Sequence, residues 1–164
     1  MSEETDRLIR EGWKEITHGQ RMQGCLLIHE AVQLEPWDHT HYLELGSAYL
    51  AVEKPEIAFE YFTIAQLVCP DDSRCWYYAG VSIILHWEQD NILEKSPVEN
   101  AFQYFVDASR LDPENPHIQC WIGKCYEFLY EWARAKEAYQ QVLLVDPGFY
   151  TAVHRMGALK SMNN

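Results

Sequence analysis

Basic residues are scarce in this chain. Lys and Arg number 13 against 25 Asp and Glu, giving a net charge of −12 over 164 residues. That argues against a nucleic-acid partner, since phosphate binding needs a basic stripe. It also disfavours an anionic membrane surface and suits solubility or a basic partner. Long apolar runs are missing too. Nothing approaches the ~20 apolar residues of a membrane span; Val81–Leu85 is short, and Ser82 interrupts it. Met1–Asp6 is polar and acidic, so no signal peptide is expected. Catalytic motifs are absent: there is no glycine-rich phosphate loop, no GxSxG and no HExxH. No enzymatic activity and no cofactor are expected.

Metal-ligand spacing is absent as well. Cys25, Cys69, Cys75, Cys120 and Cys125 are odd in number and contain no CxxC pair. They read as reduced thiols packed among helices, which points to a cytoplasmic setting. His39 and His41 lie two apart, and such residues do not share a helical face. No metal site is expected there or elsewhere. Asp71-Asp72 reads as turn and cap chemistry.

What the sequence has is a period. Gly12, Gly46, Gly80, Gly123 and Gly157 are separated by 34, 34, 43 and 34 residues. Pro36, Pro70, Pro113 and Pro147 keep step, with gaps of 34, 43 and 34. Two ladders sharing one period imply a repeated structural unit. Small residues recur at Gly24, Ala58, Ala101 and Ala135, and large ones at Ile28, Phe62, Phe105 and Tyr139. Ala58, Phe62 and Ala65 are spaced four and three, so they share a helical face. Tyr42, Leu45 and Tyr49 form a similar stripe earlier in their unit. Each unit therefore reads as two short amphipathic helices. Asp38 is placed to cap one first helix, and Asn115-Pro116 to start another. The prolines follow the second helices, where the hydrogen-bond ladder must stop. The glycines fall inside first helices, which costs about 1 kcal/mol each. Close backbone approach by the neighbouring helix is the expected compensation.

These residues resemble the tetratricopeptide repeat (TPR) pattern. The second unit matches best, through Tyr42, Leu45, Gly46, Tyr49, Ala58, Phe62, Ala65 and Pro70. The third and fourth follow, although Gln119 stands where the pattern expects an aromatic. The first is weaker, with Glu11 and Glu15 at apolar positions. The resemblance implies an all-α fold: a right-handed superhelical α-solenoid of about four helical hairpins plus a C-terminal capping helix. The repeats would span about 5–38, 39–72, 73–115 and 116–149, with a capping helix over about 150–162. Lys160 and Asn163–Asn164 would keep the outer end of that cap polar. The third repeat carries nine extra residues (43 less 34), at about 86–96. They suit a longer first helix and loop, or a lobe near Trp87 and Ile92 that touches a partner. Ser96-Pro97-Val98-Glu99 reads as a capping box restarting the helix.

In this family first helices line a concave groove. Carried over residue by residue, the pattern offers Ile9, Trp13 and Thr17, then Leu43, Ser47 and Leu50. It continues with Tyr77, Val81, Ile84 and Leu85, then Lys124, Glu127 and Phe128, and ends at His154. The stripe is largely apolar and aromatic. Some members hold an acidic chaperone tail with a lysine, asparagine and arginine clamp. Ile9, Trp13, Leu43, Ser47, Tyr77 and Val81 replace it here, so that role is rejected. The resemblance implies a non-enzymatic module or scaffold binding a protein or peptide partner in the groove. Two alternatives stay open: a small acidic chaperone for a hydrophobic client, similar to those of type III secretion, and a self-assembling homo-oligomeric unit.

Overall fold

A computed structural model describes residues 2–90 and 94–161. Within them the chain forms nine helices and no strand. They are α1 Glu3–Thr17, α2 Arg21–Leu34, α3 His39–Ala51, α4 Pro55–Val68, α5 Ser73–Gln89, α6 Ser96–Leu111, α7 Pro116–Phe128, α8 Trp132–Val145 and α9 Tyr150–Ser161. Each packs most closely on its chain neighbours, so the helices stack as successive hairpins.

Local chemistry sets the helix ends. Asp38, Asp72 and Asn115 each accept a hydrogen bond from the backbone N–H two residues on and so cap α3, α5 and α7. Pro55 and Pro116 sit in the first turns of α4 and α7, where a missing N–H costs nothing. The turns inside the first, second and fourth hairpins require a left-handed residue. Gly19 supplies it at φ 89°, whereas Glu53 and Tyr130 are held at 62° and 63° despite their side chains.

The large–small alternation makes the core. Ala58, Phe62, Ala65, Ala101, Phe105, Ala108, Ala135 and Tyr139 have no exposed surface. Their clusters each bridge three consecutive helices; Leu43 of α3, Phe62 of α4 and Cys75 of α5 share one. The glycine ladder is explained by the large residue of the same hairpin. A Cβ on Gly46, Gly80 or Gly123 would stand 2.6, 2.9 or 2.7 Å from the ring of Phe62, Phe105 or Tyr139. The compensation is thus an aromatic ring laid on a bare helix. In the first hairpin the partner's backbone crowds in as well, with Gly24 O 2.8 Å from a Cβ on Gly12.

In the third hairpin the extra residues lengthen α5 to 17 residues, against 13 for α3 and α7. Ser96 does not cap α6. It is already helical, and Lys95 holds the cap position with no side-chain bond. Asn91, Ile92, Asn163 and Asn164 lie outside the described residues. No described helix is long and apolar enough to cross a membrane.

Candidate partner-binding groove

First helices meet first helices along one side of the stack. α1 touches α3 and α3 touches α5, whereas no second helix makes comparable contact with the next second helix. In a curved stack the elements brought closest lie on the inner wall, so the first helices form it.

The expected groove residues divide by burial. Leu43 and Val81 belong to the core, at 6% and 8% exposure, and Ile84 has none. They offer a visitor little surface. Ile9 and Trp13 are half-buried against the cluster of Cys25, Ile28 and Leu45. Trp13 Nε1 donates to Glu44 Oε2 at 2.7 Å, tying α1 to α3. Ser47 is half-buried and Thr17 exposed. Tyr77 is half-buried, and its hydroxyl accepts from Trp121 Nε1 at 3.2 Å, linking α5 to α7. Burial pushes the Tyr77 hydroxyl above its ordinary pKa. Lys124 Nζ sits 3.8 Å from the centre of the Trp121 ring. His154 is exposed and lies near-parallel to Tyr150 at 6.1 Å.

Two clefts gather the remainder. Leu50 and Leu85, from α3 and α5, line one of about 300 Å³ with Glu53, Pro55, Glu88 and Gln89. Its apolar side chains are flanked by two carboxylates. Phe128 lines the other, about 360 Å³, with Trp87, Lys95, Tyr130, Trp132, Glu127 and Arg155. Glu127 is only 8% exposed. Its carboxylate accepts from Arg155 Nε at 2.9 Å and from Arg155 Nη2, so α9 is clamped to α7. Trp87 packs edge-on against Phe128 at 5.1 Å and donates from Nε1 to Glu94 O at 2.9 Å. Trp87, in the described part of the insertion, therefore packs on the fourth hairpin.

Tyr130, Trp132 and Arg155 were not among the expected groove residues. The visible signal for the aromatic pair was their place beside a hairpin turn, where the second hairpin has Glu53 and Pro55. Arg155 gave no signal, since its partner Glu127 is 28 residues away in sequence.

Comparison with solved structures identifies the architecture. A thermophilic TPR protein from Thermus thermophilus superposes with a TM-score of 0.74 at 19% identity, over 87% of this chain and 75% of that one. The chain has the tetratricopeptide repeat fold. YrrB, a TPR protein described as having an unusual peptide-binding site, matches this TPR chain at TM-score 0.68 and 17% identity, over 95% and 76% of the two chains. PilF of Pseudomonas aeruginosa matches at 0.79 and 20%, over 98% and 69%. No family model matches the sequence, and no curated protein does either.

The helical core buries four of the five thiols and leaves Cys69 half-buried. All five cysteines are free. Burial pushes Cys75 and Cys125 up to about 12 and Cys120 to about 11. His39 and His41 diverge, as their spacing requires: His39 Nε2 meets Asp72 Oδ2 at 2.9 Å, while His41 turns inward. Among the described residues, one group has metal-ligand character, formed by Glu35, Asp38 and His41 at the α2–α3 turn, outside both clefts.

Proposed function

We propose that this chain is a non-catalytic interaction module. Its inner wall holds a helix or peptide of a partner protein, apolar on the docked face and basic at its flanks. The observation that carries this is the Leu50–Leu85 cleft, which sets two aliphatic side chains between Glu53 and Glu88. The apolar pair would take one anchoring side chain. The carboxylates, within a chain of net charge −12, would attract Lys or Arg beside that anchor. YrrB's peptide-binding site fits the same use of the fold. The free thiols suit a reducing compartment such as the cytoplasm.

The double substitution Leu50→Glu with Leu85→Glu tests this. Partner retention in a pull-down should fall at least about tenfold, the effect of ~1.4 kcal/mol, with far-UV circular dichroism unchanged. Leu43→Glu, in the core, should instead lose helicity. Full retention by the double variant, or loss of its helices, would contradict the groove reading. A client chaperone would use the same wall; its partner would aggregate when expressed alone, whereas a scaffold's partner would stay soluble.

A further inference from the structure

His41 is the one fully buried histidine, and its surroundings are built for a cation. At its register α5, α7 and α9 carry Cys75, Ile118 and Ala152, all buried, while α1 carries the exposed Arg7. Packing at this position is met there without an imidazole. The His41 Nδ1 lies 3.3 Å from the backbone oxygen of Glu35. A carbonyl only accepts, so Nδ1 carries a proton, and in the neutral imidazole Nε2 presents a lone pair. That Nε2 has no hydrogen-bond partner. It faces Glu35 Oε2 at 3.8 Å and Asp38 Oδ2 at 3.9 Å. A buried lone pair turned toward two carboxylates is unfavourable unless a positive charge lies between them.

The carboxylates are aimed by their other oxygens. Glu35 Oε1 accepts from the Ser2 N–H at 2.8 Å. Asp38 Oδ1 accepts from the Thr40 N–H at 2.9 Å and the Thr40 hydroxyl at 2.6 Å.

We propose that Glu35, Asp38 and His41 hold one divalent transition-metal ion of the zinc class at the junction of the first two hairpins. One potential donor atom from each lies within 4.8 Å of the others. Closing in by a few tenths of an ångström brings them to the roughly 2.0–2.2 Å of zinc–nitrogen and zinc–oxygen bonds. The nitrogen donor selects against calcium and magnesium, which take oxygen. The carboxylates are 28% and 29% exposed, so water reaches the open side and completes the shell. The bonds from Ser2, Thr40 and the Glu35 carbonyl form the outer layer that fixes the ligands. The ion would join the end of α2, the start of α3 and the start of α1.

Chelator-stripped protein titrated with Zn²⁺ by calorimetry at pH 7 should take up one equivalent, and Ca²⁺ none. The Nε2 nitrogen resonance of His41 should shift with zinc while Nδ1 keeps its proton. Glu35→Gln should abolish the uptake. Thr40→Val, which keeps the backbone bond but frees Asp38 Oδ1 from the hydroxyl, should weaken it about tenfold. Zinc uptake unchanged by Glu35→Gln would overturn the proposal, because the ion would then be held elsewhere. So would a His41 Nε2 resonance that follows pH but never zinc, because a proton alone would then fill the gap.

Discussion

Tyr139 carries a hydroxyl that Phe62 and Phe105 do without at the same register. Its ring is fully buried, and its oxygen has no hydrogen-bond partner. Burial, and after it the neighbouring Glu127 carboxylate, raise its pKa, which keeps the hydroxyl neutral. An unsatisfied buried polar group costs about 1–3 kcal/mol. Tyr139→Phe should therefore raise the urea midpoint, by an amount equivalent to about 1 kcal/mol; a lower midpoint would show that the hydroxyl is paired. Asp72 is the opposite case. Its burial acts to raise the carboxyl, but hydrogen bonds from Arg74 and His39 outweigh this and hold it at about 2. The folded value lies below the unfolded one, so the stabilisation is present above about pH 4 and is lost as pH falls toward 2. Asp72→Asn should cost on the order of 1–2 kcal/mol at pH 7 and flatten the acid limb of stability against pH. At this scale the sequence was only partly legible. Phe62, Phe105 and the alanines beside them were visible as core from their spacing. Leu43 and Val81 were not separable from the half-buried Leu50 and Leu85, because adjacent faces of an inner helix are both apolar and burial depends on the next helix.

The glycine ladder is a property of helix pairs. Gly46→Ala puts a methyl into the Phe62 ring, 2.6 Å from its edge. Overpacking of that kind costs about 1–3 kcal/mol. Gly157 in α9 meets nothing within 4 Å, so Gly157→Ala should stabilise by up to about 1 kcal/mol through helix propensity. Thermal melts of the two variants should move in opposite directions; a shared direction would contradict the ring-on-glycine packing. The helices themselves were legible, since proline and glycine mark their ends and interiors in one period. The insertion was legible only in length. Spacing cannot say whether nine residues join a helix or a loop, and here the Trp87–Phe128 contact makes extension of α5 favourable. Ser96 looked like a cap because its spacing to Glu99 is right. Helical geometry begins one residue earlier than the pattern implied, leaving Lys95 at the boundary.

Across the whole molecule, the buried residues of each core cluster come from two or three consecutive helices, so stability is assembled from neighbour to neighbour. The same connectivity sets first helices side by side, and the Leu50–Leu85 and Trp87–Phe128 clefts are lined by them, by the loops that follow and by the first residues of α4 and α8. The period implied such a wall of first helices. It did not show Glu127 withdrawn into its clamp with Arg155, because that pair spans two repeats. Outward-facing apolar residues are more exposed than the cleft, with Leu67 on α4 at 79%. Exposure alone would make Leu67 the better contact, whereas the shape and charge of the wall favour Leu85. A photo-cross-linking residue placed at Leu85 or at Leu67 separates the two. Capture of one discrete partner through position 85, with none through position 67, is the expected result. Capture through 67 alone would contradict binding on the inner wall.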